Sequence, residues 1–259
     1  MEFISFFDEH HPVKTVFTNQ ADKALPGWDD TAMRKSILSS YIKAPVRDIF
    51  YAHETHSGSV FIISKDYPAG RTVHEDEHLH IRYEGGYDSL VTNLPGVMLG
   101  IWTADCLPLF LYDTKTKTIA MVHSGWRSTC ACIAENTLSV MASHFSTRQK
   151  DVIAAIGPCI DKDCYEVGEE LLPLFAEKFS QEEMTQFFAE KDTSGAGRKF
   201  WFDNRKAVTL SLLRSGIKAE NIYDTGICTY KTPEFASYRR DGKVDTEKQM
   251  FSGIMLAKQ

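Results

Sequence analysis

The chain has 259 residues, 43% of them hydrophobic and 25% charged, with a formal charge of −6 and a pI of about 5.9. The acidic balance and the scatter of Lys and Arg argue against a nucleic-acid binder, which carries a basic excess or stripe. The most apolar stretch, residues 97–112, is broken by Asp105 and Pro108 and is no membrane span. A chain this long buries roughly three quarters of its unfolded surface. It needs no disulfide or metal to stay folded, so a bound metal would serve chemistry.

Residues 1–9 mix acids into an apolar run and lack a basic n-region, so they do not read as a secretory signal. The six cysteines then read as thiols of a cytoplasmic protein, with Cys130, Cys132 and Cys228 as small buried hydrophobes. In chain order, strands are expected over 48–52, 59–63, 97–103, 107–112 and 119–123. A helix over 129–145 follows, then a strand over 152–156, helices over 168–179 and 181–189, and a strand over 200–202. A helix over 204–215 and a strand over 222–225 complete the set. The strands are short runs rich in Val, Ile, Phe and Leu between Gly, Pro and Asp. The first helix repeats its apolar positions at three- and four-residue steps. The last has Asp203 as N-cap and Gly216 beyond its end. Interspersed helices and strands make a mixed α and β class. The polar segment 191–199 is too short to join separate domains, so residues 1–259 read as one.

Three stretches put a metal ligand at the end of an apolar run: Thr55-His56-Ser57-Gly58, Ala104-Asp105-Cys106-Leu107-Pro108, and His123-Ser124-Gly125-Trp126-Arg127-Ser128-Thr129. Two imidazoles and one thiolate suit zinc, with a fourth position for water or substrate. Spacing alone leaves the ordinary alternative open, a hydrogen-bonded core His and a packed Cys. The last stretch reads as a strand-to-helix turn whose free N–H groups and Arg127 suit an anion; the alternative is a plain turn with its Arg in solvent.

Cys159 and Cys164, in the turn 157–168, read as packing against the site rather than as ligands. His74, His78 and His80 lie in a polar, acidic stretch that reads as a solvated loop. Tyr238, Arg239 and Arg240 set an aromatic beside two guanidinium groups, suited to an anionic or planar substrate, or else to a surface hairpin.

Together these motifs resemble the family once described as multicopper polyphenol oxidases, or laccase-like proteins, and later as purine nucleoside phosphorylases. The matching stretches run in order: Thr55-His56-Ser57-Gly58, Tyr87-Asp88-Ser89-Leu90-Val91-Thr92-Asn93, Ala104-Asp105-Cys106, and His123-Ser124-Gly125-Trp126-Arg127. They continue with Ile156-Gly157-Pro158-Cys159-Ile160, Cys164-Tyr165-Glu166-Val167-Gly168 and Ser237-Tyr238-Arg239-Arg240-Asp241-Gly242. The resemblance implies an α+β fold, a four-layer α/β/β/α sandwich of mixed sheets in a single domain. It also implies a metal site at His56, Cys106 and His123 for Zn2+, with copper as the alternative. The activities it implies are phosphorolysis of adenosine, inosine and methylthioadenosine, and deamination of adenosine, so that the partners are a nucleoside and phosphate. The N-terminal stretch departs from the family's pattern at Gln20, where Arg is common.

The catalytic residues expected are Asp105, Cys106 and Arg127, and the substrate-binding ones Arg127, Tyr238, Arg239 and Arg240. Asp105 would carry the proton in deamination only if the chain bends there, since neighbours in a regular strand point to opposite faces. Arg127 would hold phosphate. Two rivals use the same residues: a copper-dependent polyphenol oxidase, and a cysteine amide hydrolase editing cell-wall precursors, with Cys106 as nucleophile and His123 as base.

Overall fold

The computed structural model describes residues 11–19, 31–64, 72–76, 79–192, 197–242 and 249–257. Gln20 and His78 lie outside them. Two mixed six-stranded sheets dominate. The first runs β1 (Val13–Phe17), β15 (Met250–Leu256), β7 (Val97–Thr103), β2 (Asp48–His53), β5 (Leu79–Gly85), β4 (Thr72–Asp76). The second runs β14 (Ile222–Asp224), β10 (Val152–Ile156), β8 (Leu107–Asp113), β9 (Ile119–Ser124), β6 (Ser89–Thr92), β3 (Val60–Ile63). A small third sheet joins β11 (Glu166–Gly168), β13 (Lys199–Phe202) and β12 (Phe188–Lys191). The helices are α1 (Thr31–Ile42), α2 (Trp126–Cys130), α3 (Ile133–Phe145), α4 (Leu171–Ala176), α5 (Gln181–Phe187), α6 (Asn204–Arg214) and α7 (Tyr238–Asp241). The class is α+β, as expected. Among the described residues, no helix is long and apolar enough to cross a membrane.

Strand alternation assembles the core. On β7, Val97, Leu99 and Ile101 join Phe110, Tyr112 and Met121 of the second sheet in one cluster between the sheets. Met98 and the half-buried Trp102 face the other way, with Leu38 and Ile42 of α1. On β8, Leu107, Leu109 and Leu111 face α3 and α6, meeting Ile133, Leu138, Met141, Val208 and Leu212. Both central strands are therefore buried on both faces, which is why they read as unbroken apolar runs. Gly100 and Gly253 are partners across β7 and β15, and a Cβ on either would collide with the Phe251 ring.

The structure departs from the sequence reading in several places, and α1, β1, β6 and β15 have no counterpart among the expected elements. His74 and His80 lie in strands and not in a loop: β5 pairs with both β2 and β4, so backbone pairing decides their state. The helix expected over 129–145 is two helices, because Cys132 between them takes a left-handed φ of 58°. The helix expected over 168–179 is reduced to α4 by β11, and Phe188 leaves α5 to begin β12. The Cys130 and Cys132 side chains are half-buried rather than buried. Elsewhere the expected capping holds: Asp203 accepts from the Lys206 N–H at 2.9 Å, and Gly216 supplies φ +96° beyond α6.

Candidate metal centre

The chain crosses between the two large sheets at one end of the sandwich, and two of the three candidate ligands sit on those crossings. His56 lies between β2 and β3, and Cys106 lies between β7 and β8. His123 is near the end of β9, where Pro108 of β8 pairs with it. Their ligand atoms all lie within 4.8 Å of one another, the single such group of His, Cys or carboxylate side chains among the described residues. The Cys106 Sγ is 4.0 Å from His56 Nε2, and the two imidazole rings meet edge-on at 4.9 Å. Two of the crossings are tight: His56 and Asp105 have φ values of 57° and 82°.

Asp88 organises this geometry, and the sequence reading assigned it no role. It is fully buried, just ahead of β6. Its Oδ1 accepts from His123 Nδ1 at 2.7 Å and from the His56 N–H at 3.0 Å. Its Oδ2 accepts from the Ser57 N–H at 2.6 Å and the Ser57 hydroxyl at 3.0 Å. One carboxylate thus fixes the His56 loop and the His123 ring together, and holding Nδ1 leaves Nε2 of His123 as the metal-facing atom. Its sign in the sequence was its place in the stretch Tyr87-Asp88-Ser89-Leu90-Val91-Thr92-Asn93, which matches the family, and an acid that is buried demands partners.

Charge is arranged accordingly. Burial pushes the Asp88 carboxyl up, but His123 and the Ser57 N–H outweigh it and bring it down to about 2. Burial likewise raises the Cys106 thiol, and the His123 and His56 imidazoles bring it down to about 7. Burial lowers His123, while the Cys106 thiolate and Asp88 carry it up to about 10. A thiolate is therefore available near neutral pH, which metal binding requires. In chelated protein, alkylation of Cys106 followed by peptide mapping should be half-maximal near pH 7. His123→Ala should move the midpoint upward, because the partner that favours the thiolate is gone. A midpoint near that of an ordinary thiol in the native protein would contradict this arrangement.

The turn after His123 behaves differently from its sequence reading. Gly125 has φ −77° and ψ 172°, which any residue adopts. Its lack of a Cβ matters instead, since one would sit 2.9 Å from Cys106 Sγ and 3.1 Å from His56 Cδ2. The helix that follows, α2, has five residues, so its dipole contributes little. Arg127 is exposed, its guanidinium stacked 4.2 Å from the Trp126 ring centroid. Asn204 anchors the turn from α6, donating to the Ser124 carbonyl at 2.7 Å and accepting from the Thr129 hydroxyl at 2.7 Å.

The chain does bend at Asp105, and its carboxylate faces the segment 229–239. Oδ1 accepts from the Thr229 hydroxyl at 2.6 Å, and Oδ2 from the Arg239 N–H at 2.7 Å and the Ser237 hydroxyl at 3.1 Å. Asp105 therefore ties the Cys106 turn to α7, which brings Tyr238 and Arg239 beside the centre. Tyr238 is 59% exposed, open to a planar ligand. Arg240 is engaged by the protein, donating to the carbonyls of Thr229, Tyr230 and Phe235 and to both carboxylate oxygens of Asp241. Glu54, also missed, is two residues before His56; its Oε1 accepts from the Trp102 N–H at 2.8 Å, and burial raises its pKa against the pull of His123. The turn 157–164 packs against the centre from outside, Ile160 N–H donating to the Asp105 carbonyl at 3.1 Å. Cys159 and Cys164 do not join the ligand group.

Two imidazoles and a thiolate held by a buried carboxylate between two mixed sheets define a protein with a His-Cys-His group able to hold a metal. The profile of the multi-copper polyphenol oxidoreductase laccase family matches residues 29–257, and the chain belongs to that family. It is 35% identical over 206 residues to a purine nucleoside phosphorylase of Bacteroides thetaiotaomicron, covering 79% of this chain and 72% of that one. It is 31% identical over 206 residues to adenosine deaminase RL5 from an unknown prokaryotic organism, covering 79% and 74%. The fold matches the crystal structure of YlmD from Geobacillus stearothermophilus with a TM-score of 0.77 at 21% identity, covering 95% and 93% of the two chains.

Proposed function

We propose that the protein is a zinc-containing purine nucleoside phosphorylase that acts on adenosine, inosine and methylthioadenosine and also deaminates adenosine, as a single cytoplasmic catalytic domain spanning residues 1–259. The observation that carries this reading is the three-ligand group opening beside Arg127 and Arg239. Structural zinc takes four protein ligands, whereas a catalytic site keeps one position open. The names of the relatives point the same way. The donor set fits zinc, and a redox oxidase of phenols would need further copper ligands, while the described residues converge in one group only.

Zinc bound there would supply a Lewis acid that makes water a nucleophile near neutral pH. The chain's own residues do the rest. Asp88 holds His123 in one tautomer. Arg127, its plane fixed by Trp126, and Arg239 offer forked donors to phosphate. Tyr238 offers a face to the purine. Asp105, both of whose oxygens already accept hydrogen bonds, positions the Cys106 turn and α7.

One observation favours a second reading. Cys106, His123 and Asp88 stand in the order nucleophile, base and orienting carboxylate, the arrangement of a cysteine amide hydrolase if the native protein holds no metal.

Chromatography of adenosine incubations tests the proposal. With phosphate, wild type should give adenine and ribose 1-phosphate; without it, slow inosine formation. Arg127→Ala should raise the phosphate KM strongly and leave inosine formation nearly intact. Equal loss of both reactions would remove Arg127 from the phosphate, and release of neither purine product would sink the assignment.

A further inference from the structure

Tyr165 stands beside the centre and has no part in the reaction as described so far. It follows a 3-10 turn, Lys162–Cys164, and leads into β11. Its ring packs 5.5 Å from that of Phe202, and the Arg239 guanidinium lies 5.5 Å from its ring centroid. Arg239 is held in place by its own contacts: the guanidinium donates to the Glu166 carbonyl at 2.9 Å, and the backbone N–H to Asp105 beside Cys106. On the other flank, Trp126 packs in the same cluster as Tyr165 and carries Arg127 on its face. Gly125, just before Trp126, lies against Cys106. The Tyr165 phenol is thus within electrostatic reach of the Cys106 thiolate and of both guanidiniums, Arg239 and Arg127.

The Tyr165 side chain is half-buried, and its hydroxyl, which makes no hydrogen bond to any described residue, is not sealed from solvent. An accessible phenol with no protein partner is free to donate to an anion that replaces its water. We propose that the Tyr165 hydroxyl donates a hydrogen bond to the phosphate held between Arg127 and Arg239, an assignment that rests on the phosphorolytic reading above. Burial, with the Cys106 thiolate nearby, raises the phenol pKa against the pull of Arg239, so the hydroxyl stays protonated and donates at neutral pH.

Tyr165→Phe tests this cleanly, because the ring and its packing on Phe202 remain. Inorganic phosphate is titrated calorimetrically into zinc-loaded wild type and variant, and phosphate KM, kcat and phosphate-independent inosine formation are measured on the same preparations. The variant should bind phosphate roughly tenfold more weakly, in line with losing one hydrogen bond to a charged group. Its phosphate KM should rise in proportion, with kcat and inosine formation little changed. Equal phosphate affinity in the two proteins would overturn the assignment, as would a loss confined to inosine formation, which would put the hydroxyl on the nucleoside. If Tyr165→Phe weakens phosphate binding but wild type releases no adenine, the anion contact stands and the phosphorolytic reading falls. If wild type binds no phosphate at all, both fall.

Discussion

Asp88→Asn should weaken zinc binding roughly 10–100-fold, the usual cost of losing a carboxylate behind a metal-bound histidine. The reason is geometric as well as electrostatic. Asp88 accepts hydrogen bonds on both oxygens from the His56 loop and from His123 Nδ1. An amide keeps one acceptor and places an NH2 against donors, so whichever way it turns, one N–H is left facing another. If the amide oxygen stays with His123, the Ser57 and Thr55 N–H groups lose their acceptor and the His56 loop loosens. If the amide flips, His123 loses the bond that fixes its tautomer. A chelator competition assay reads the affinity, and far-UV circular dichroism checks that the fold persists. An unchanged affinity would show that the ligands are held without Asp88.

The strands that build the centre were visible in the sequence because they are buried on both faces. Residues 97–103 and 107–112 are apolar at nearly every position and are bounded by Gly, Asp and Pro, as short strands of a covered sheet are. The ends of those strands carried the ligands, so His56, Cys106 and His123 could be singled out by residue type and setting. Their convergence could not, since it depends on crossings between sheets that no local pattern encodes. β4 and β5 were hidden for the opposite reason. β4 is mostly polar and acidic, and although β5 alternates Leu79, Ile81 and Tyr83 with polar residues, the acids and histidines around it outweigh that signal; pairing with β2 decides its state. Asp88 stood in a stretch that matches the family, but without a role; burial, with seven N–H and O–H donors around it, gives it one. The difference between Arg127, Arg239 and Arg240 was likewise invisible. Three arginines near aromatic residues read alike in sequence, but Arg240 braces the loop that carries α7, while Arg127 and Arg239 lie over aromatic rings beside the thiolate.

Single substitutions of the ligands should have the largest effect of all. His56→Ala, Cys106→Ala and His123→Ala should each remove most of the zinc and, with it, both phosphorolysis and deamination. Wild type should carry close to one zinc per chain, because one group of three ligands converges among the described residues. The three variants should nevertheless unfold cooperatively. Two ligands sit on crossings and the third near the end of β9, while the clusters between and outside the sheets are complete without them. They should differ in one respect. His123 is buried and bonded to Asp88, so His123→Ala leaves a buried carboxylate short of its strongest partner, which costs stability. His56 is exposed, and with both proteins metal-free, so that the stabilisation by bound zinc is out of the comparison, His56→Ala should leave the unfolding midpoint almost where it was. Elemental analysis and thermal unfolding on the same preparations separate these effects. Copper in place of zinc at full occupancy would favour the oxidase reading. A metal-free native protein that cleaves amides through Cys106 would favour the hydrolase. Zinc retained by all three variants would put the metal somewhere else in the chain.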